Sequence, residues 1–521
     1  MSSTQSQQAT RQHGNAHSWS RWTGHMSCVF AFVLFSLPQA GMPSPQIIHG
    51  PRLACVTQSS ITIFWETDEP SRSLVRYGLT ALEDSTFSTA LDTFHVVTIE
   101  NLETSSVYTY QVESSNDQGR VTSQEYTFRT AVSENEPFRF ASMSDSQNWG
   151  EDEPLPEVFT WIVRRALGFQ PHLVLFGGDN VYGSSDSFRL REQWDEWISV
   201  TDTLAHYVPI YQTIGNHEAN CYSQNYDGGI VFVDECVLPT NGPPGYQELV
   251  YSFDYGNAHF VCLDSDVYDN QSRIDEVQRA WLKTDLETTD KLHRFAFAHE
   301  HAFTYIGDTH QCLETYPYDR NAFWEILYHN HVDAYMCGHI HLWNQDFFGR
   351  TLPDTITSVH QIINGTCGGP IVGGHGGDFY HFVIWDIDGP HVDGRVFDNY
   401  GHLKDSFSFD VNGIDGPKTP MRTREAPAIH LVPNPMHTAC TIRWTTARVG
   451  SGDTNTGAEA TIYDLTGRLI QVLPGKPEPR GGFLARWDGY DLRSQRAPDG
   501  IYLVTVTPAA VQSAQKLILI R

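Results

Sequence analysis

Between Asp145 and His341 the chain passes five times from an apolar run directly into side chains that can bind a metal ion. Phe138-Arg139-Phe140-Ala141-Ser142-Met143 leads to Asp145-Ser146-Gln147, and Leu173-Val174-Leu175-Phe176 leads to Gly177-Gly178-Asp179-Asn180-Val181-Tyr182. Tyr211-Gln212-Thr213-Ile214 leads to Gly215-Asn216-His217-Glu218. Phe295-Ala296-Phe297-Ala298 leads to His299-Glu300-His301, and a run ending at Cys337 leads to Gly338-His339-Ile340-His341. A carboxylate can bridge two cations, imidazole and amide oxygen can complete each shell, and a tyrosine phenolate suits a hard trivalent ion. Two ions roughly 3.5–4 Å apart can hold a hydroxide and polarise a phosphoryl group for in-line attack. Taken singly, each segment has a plainer reading: Gly-Asp after a strand is often a turn, and a lone Tyr182 is a packed aromatic. Five such segments with complementary donors point to one centre with two metals and to hydrolysis of phosphate esters.

The elements that must position these residues alternate. Short apolar strands are interleaved with helical patterns at Glu157–Val163 and Val277–Leu282, as in an α/β layered domain spanning about 136–412. In open α/β sheets ligands collect beyond the carboxyl ends of strands, so loops from several strands can converge. Gly178, Gly215 and Gly338 are expected to let the backbone turn sharply before each ligand. Residues 45–131 alternate as β strands do, at Ser60–Trp65 and Val107–Val112, and read as a small sandwich with Trp65 in its core. A Pro/Gly-rich link at 413–427 is followed by a second β-patterned region, 428–521. The expected fold is multidomain: a central α/β domain between two small all-β sandwiches.

The formal charge of −28, with 62 acidic against 34 basic residues, makes nucleic acid a poor partner. A small phosphorylated substrate stays compatible, because bound metal reverses the local sign. Residues 1–40 read as an export signal, with Arg11 and Arg21 before the short apolar core Cys28–Phe35. No later segment could span a bilayer. Of nine cysteines none forms a Cys-x-x-Cys pair, which argues against structural zinc. Cys221 and Cys236 lie in one loop-like region where an exported chain could close a disulfide, and Cys262, Cys337 and Cys367 read as buried thiols. The long loop 219–245 has the length of a functional lid. The glycine-rich stretch 364–378 reads most simply as a turn, with His375 its candidate substrate contact.

At Gly178-Asp179-Asn180-Val181-Tyr182, Gly215-Asn216-His217-Glu218, His299 and Gly338-His339-Ile340-His341 the chain resembles the metallophosphoesterase superfamily, and within it the purple acid phosphatases. Tyr251–Asn257 and His259–Val261 extend the likeness. The resemblance implies a four-layer fold, two packed β-sheets flanked by helices. It implies Asp145, Asp179, Tyr182 and His341 on one ion, typically Fe3+, and Asp179, Asn216, His299 and His339 on a divalent ion (Zn2+, Mn2+ or Fe2+). His217 would stand near the leaving group or phosphoryl oxygens, His301 would assist there, and Glu218 is a candidate substrate contact. The first motif departs: Gln147 stands where the purple enzymes have Gly, as a metal or pocket residue. The reaction implied is phosphomonoester hydrolysis by metal-held hydroxide, with phosphodiester hydrolysis as the alternative.

The first sandwich resembles the fibronectin type III-like domain that precedes such catalytic domains, carried by Val75-Arg76-Tyr77-Gly78, His95 and Tyr108-Thr109-Tyr110. The last resembles the sorting domain of the bacterial type IX secretion system, at Val432-Pro433-Asn434-Pro435, Tyr463–Arg468, Trp487-Asp488-Gly489 and Lys516–Arg521. These resemblances imply a secreted or cell-surface bacterial protein that meets the type IX machinery. A reading from a different class is a surface binding protein whose middle domain is catalytically silent; the intact set of ligand residues speaks against it.

Overall fold

The computed structural model describes residues 43–220, 228–267, 271–303, 312–348, 359–371 and 377–411, together with shorter segments between 429 and 519. The leader, His375 and Cys221 lie outside the described residues. The chain forms two compact units, Met1–Met421 and Arg422–Arg521.

The first unit opens with six strands: β1 (Ile47–Ala54), β2 (Ser60–Gly78), β3 (Asp84–Glu100), β4 (Val107–Asn116), β5 (Gly119–Thr122) and β6 (Tyr126–Arg129). The first half of β2 pairs with β1 and with the second half of β3, while its second half pairs with the first half of β3 and with β4. The register shifts between Glu66 and Ser73, where β2 bends from one set of partners to the other. Trp65 and Tyr110 fill the core, and the Trp65 indole donates to Ser114 Oγ at 2.8 Å.

The middle region contains β7 (Phe138–Met143), β8 (Leu173–Phe176), β9 (Ile210–Gln212), β10 (Tyr251–Tyr255), β11 (Ala258–Cys262), β12 (His293–Phe297) and β13 (Ala334–Cys337). It continues through β14 (Trp343–Phe348), β15 (Val359–Asn364), β16 (His381–Asp388), β17 (His391–Asp398) and β18 (Leu403–Asp410). The helices are α1 (Glu157–Gly168), α2 (Ser187–Ala205), α3 (Asn216–Asn220), α4 (Gly228–Glu235), α5 (Glu276–Thr288) and α6 (Pro317–His329). Two six-stranded sheets result, ordered β18-β17-β16-β7-β8-β9 and β10-β11-β12-β13-β15-β14. Strands β7, β8 and β9 run parallel, as do β11, β12, β13 and β15. Strands buried on both faces need no polar alternation, and β8, β12 and β13 are buried at every position. Phe140 and Trp385 of one sheet interdigitate with Phe260 and Phe295 of the other, at ring separations of 5.1–5.7 Å. Edge-to-face aromatic contacts of this kind fix the spacing between sheets more tightly than aliphatic packing would.

The sandwich braces the middle region through α2. Arg52 is buried, with its guanidinium 5.3 Å from the Trp197 ring and 5.7 Å from that of Phe64. Asp202 accepts from Gly50 N at 2.8 Å, and the Tyr110 hydroxyl donates to the His206 carbonyl at 2.8 Å.

The second unit is described by itself. Ile429–Val432, Cys440–Trp444, Phe483–Trp487 and Lys476–Pro477 pair in that order as one sheet. Leu469–Pro474, Glu459–Asp464, Gly500–Thr507 and Gln515–Leu519 form the other. Trp444, Ile462, Trp487, Val504 and Leu517 lie in its core. Among the described residues no helix is long and apolar enough to cross a membrane.

Cys262, Cys337 and Cys367 are buried thiols. Cys236 is a buried thiol whose sulfur accepts from Gln212 Nε2 at 3.1 Å, and Cys221, with which it could pair, lies outside the described residues.

His259 on β11 stands between Asp254 at 2.7 Å and Asp285 at 2.8 Å. Burial alone would lower its pKa, but the two carboxylates raise it to about 9. The unfolded value is about 6.5, so the stabilisation is complete below that pH and is lost as pH rises through 9. The difference in unfolding free energy between the wild type and His259→Gln should therefore shrink by about 1–2 kcal/mol between pH 6 and 9.5, allowing for screening at half-exposed Asp254. Denaturant titrations across that range measure it, and a pH-independent difference would contradict the buried imidazolium.

Candidate metal centre

The five strand ends do converge. Asp145 follows β7, Asp179 follows β8, Asn216 and His217 begin α3 after β9, His299 follows β12, and His339 and His341 follow β13. Two groups of donor atoms each fit within a 4.8 Å span: Asp179, His299 and His339 in one, Asp145, Asp179 and His341 in the other. Asp179 belongs to both. Asn216 Oδ1 joins the first group, 3.0 Å from His299 Nε2 and 2.8 Å from His339 Nδ1. Gln147 joins the second, its Nε2 3.2 Å from Asp179 Oδ2 and 3.0 Å from His341 Nε2. Tyr182 packs its ring 5.0 Å from that of His217. His301 is buried, its ring 6.2 Å from that of His339.

The tautomers follow from the outer hydrogen bonds. His299 Nδ1 faces the Gly177 carbonyl at 2.8 Å, and His341 Nδ1 faces the Pro370 carbonyl at 2.7 Å. A carbonyl oxygen only accepts, so each Nδ1 carries a proton and each Nε2 is turned inward, where its lone pair can ligate once the ring is neutral. Those lone pairs meet carboxylate oxygens: His299 Nε2 lies 3.1 Å from Asp179 Oδ2, and His341 Nε2 lies 3.3 Å from Asp145 Oδ1. Acceptor facing acceptor at such distances is repulsive unless positive charge lies between them. The donor set therefore fits two cations, with Asp179 shared.

The same demand for positive charge governs the titrations. Burial alone would raise the pKa of Asp179, yet the His299 and His217 imidazoles hold it below the usual carboxylate range. Burial would lower His299, yet Asp179 raises it well above its ordinary value. Burial pushes His339 well down, and the neighbouring His299 and His301 push the same way.

The backbone makes this convergence at a cost. Asp145 (φ 58°), Asp179 (φ 52°) and His339 (φ 70°) all occupy the left-handed region, which L residues seldom adopt and which is stored at functional sites. The expected role of the glycines is accordingly corrected. Only Gly178 turns with positive φ, at 87°. Gly215 and Gly338 are needed for space, since a Cβ there would overlap Asp179 and Asp145 respectively.

Glu218 is also corrected. It is buried, and its carboxylate accepts from Gly215 N at 2.8 Å, Val181 N at 3.0 Å and Asp179 N at 3.1 Å. It clamps the β8 loop to the β9 loop. Burial, with Asp179 acting in the same direction, pushes its pKa up to about 8. His217 donates its backbone N–H to Asp179 Oδ1 at 3.1 Å, and its Nδ1 is held by the Tyr182 carbonyl at 2.6 Å. Its Nε2 lies 4.0 Å from Asp179 Oδ2.

A sixth strand end went unread. Leu263 ends an apolar run into Asp264-Ser265-Asp266, the same layout as the other five. Asp266 and Glu300 share a hydrogen bond in the buried ground beside His299, and Ser265 Oγ accepts from Glu300 N at 3.0 Å. A cavity of about 710 Å³ lies elsewhere, between Cys55–Ser59 of the sandwich and β10, and none of the ligand residues lines it.

Residues 138–342 match the family model of the calcineurin-like phosphoesterases. This region is a calcineurin-like phosphoesterase domain. The chain is 27% identical over 280 residues to purple acid phosphatase 23 of Arabidopsis thaliana, covering 48% of this chain and 57% of that protein. The chain thus spans little more than half of that relative's length. Two solved structures share the fold: purple acid phosphatase PPD1 from yellow lupin seeds and PhoD. The first has a TM-score of 0.58 at 16% identity, over 73% of this chain and 78% of that one. The second has a TM-score of 0.56 at 12% identity, over 71% and 91%. The family match and the phosphatase relatives are consistent with a metal-dependent phosphoric ester hydrolase. Residues 44–132 match a family described only as a domain of unknown function (DUF7800).

Glu218→Ala removes the acceptor of three buried N–H groups and should lower the unfolding free energy by about 2–4 kcal/mol, with loss of bound metal. Calorimetry and metal analysis of the purified variant test this. A variant with unchanged melting and metal content, altered only in KM, would return Glu218 to the substrate.

Proposed function

We propose that the protein is an exported phosphomonoesterase with two metal ions, of the purple acid phosphatase kind. The observation that carries the reading is the pair of inward-facing Nε2 lone pairs, on His299 and His341, set against the carboxylates of Asp179 and Asp145. Asp145, Asp179, Tyr182 and His341 would hold Fe3+, with Gln147 beside them. Asp179, Asn216, His299 and His339 would hold a divalent ion, Zn2+, Mn2+ or Fe2+. When bound, the pair supplies charge to polarise the phosphoryl group and activate water. The chain's own residues do the rest. Asp179 keeps the two sites in fixed relation, and the Gly177 and Pro370 carbonyls hold two imidazoles in the ligating tautomer. His217, with Nδ1 tied to the Tyr182 carbonyl, presents Nε2 as the proton donor to the departing alkoxide as the P–O bond breaks. His301 would assist there. Phosphodiester hydrolysis is the second reading, favoured by Gln147, whose polar amide beside Asp179 and His341 departs from the glycine of the purple enzymes.

Asp179→Asn should lower turnover of phosphomonoesters by about 100-fold or more, and the wild type should carry near two metals per chain. Assay against a panel of mono- and diesters ranks the two readings. Wild-type-like activity in Asp179→Asn, or a protein without metal, sinks both. The iron-loaded enzyme should have a visible tyrosinate-to-iron band, absent from Tyr182→Phe; a band unchanged by that substitution removes Tyr182 from the ligands of the iron.

The exchange of partners along β2, from β1 to β4, supports a fibronectin type III-like sandwich for residues 45–131. The separate compactness of Arg422–Arg521 supports a terminal module that type IX machinery recognises after signal removal at about residue 40. Deleting 428–521 should trap the protein in the periplasm of its host, measured by fractionation, whereas unchanged release would reject the sorting role.

A further inference from the structure

We propose that Trp149 selects the substrate by stacking on the leaving group of an aryl phosphate ester. The inference rests on the phosphoesterase reading and names the substrate class for that site.

Trp149 lies two residues beyond Gln147, so their Cα atoms are separated by no more than about 8 Å. Gln147 is buried against Asp179 and His341, whereas Trp149 is 68% exposed. Within three residues the β7–α1 loop thus passes from the metal centre to the surface. A second aromatic, Phe188, also 68% exposed, begins α2 at the end of the loop that carries Asp179 and Tyr182.

These two loops are joined. Ser184 donates to the Glu151 carboxylate, Gln193 Nε2 donates to the Glu151 carbonyl at 3.0 Å, and Arg189 pairs with Asp152 at 3.3 Å. Gln193 Oε1 also accepts from Gly183 N at 2.8 Å, so one side chain holds both loops. A single exposed aromatic needs no explanation. Two large ones lie on interlocked loops at the carboxyl ends of the strands that supply Asp145 and Asp179, where ligands of such sheets collect, and in this proposal they form an apolar rim to the site.

The rim also discriminates by charge. Glu151, Asp152 and Glu153 follow Trp149 and are exposed, and Arg189 is the cation paired within this segment. A leaving group with further negative charge meets repulsion, while a flat neutral ring meets a complementary indole face.

The experiment compares phenyl phosphate with glycerol 2-phosphate, using the metal-replete full-length protein. In Trp149→Ala the ratio of kcat/KM for phenyl phosphate to that for glycerol 2-phosphate should fall about tenfold, through KM and not kcat. Trp149→Phe should restore most of the ratio. An unchanged ratio, or a fall carried by kcat, overturns the role of Trp149 while turnover of both esters leaves the phosphoesterase reading standing. Failure of the wild type to hydrolyse either ester overturns both.

Discussion

One carboxylate sets the terms for the rest of the domain. Asp179 is buried, sits in a left-handed backbone conformation, and belongs to both groups of metal-competent atoms. A buried carboxylate is tolerated only when its charge is compensated. Here compensation begins with N–H groups, His217 N on Oδ1 and Gln147 Nε2 on Oδ2. It continues with imidazoles turned toward it from the other sheet. Gly178 must turn with positive φ, Gly215 must lack a Cβ, and Glu218 must take up the Asp179 N–H, or the carboxylate could not stand where it does.

Placing that carboxylate opposite His299 and His339 requires two sheets at a fixed separation, since the residues come from strands far apart in the chain. The interdigitated rings of Phe140, Phe260, Phe295 and Trp385 set that distance. The support extends outward. Trp197 donates to Ser146 Oγ at 3.1 Å, next to Asp145, and is covered in turn by Arg52 of the first sandwich. The sandwich contributes no ligand, yet it holds the helix on which the first ligand loop rests.

The order of ligand residues along the chain was legible because every ligand follows a buried strand. An apolar run ending in a polar donor is a one-dimensional pattern, and the α/β alternation says where such ends meet. What was not legible is which way each side chain turns. Glu218 follows His217 in a motif that invites a functional reading, yet α3 turns it inward, where three backbone N–H groups need an acceptor. Cys236, in a neighbourhood that reads as loop-like, falls just past α4 and is buried against Gln212, which no one-dimensional pattern indicates. The glycines were read as turns when two of the three are spacers, a distinction that depends on atoms from distant strands. Asp264 and Asp266 could have been found by applying the strand-end rule once more.

The histidines explain why one chemistry is favoured over mere metal storage. His217, His299 and His341 are all fixed by a carbonyl on Nδ1, from Tyr182, Gly177 and Pro370, so all three present Nε2. His339 differs. Its Nδ1 faces inward, and its backbone N–H is spent on Asp145, which the left-handed turn at φ 70° permits. Two of the carbonyl-fixed rings place Nε2 within 3.3 Å of a carboxylate oxygen, as ligands would, but His217 keeps its Nε2 at 4.0 Å from Asp179. A ring oriented with the same care as its neighbours, yet held one step back from the shared carboxylate, is misplaced as a ligand. Under the proposed function that ring would carry a proton to the departing oxygen.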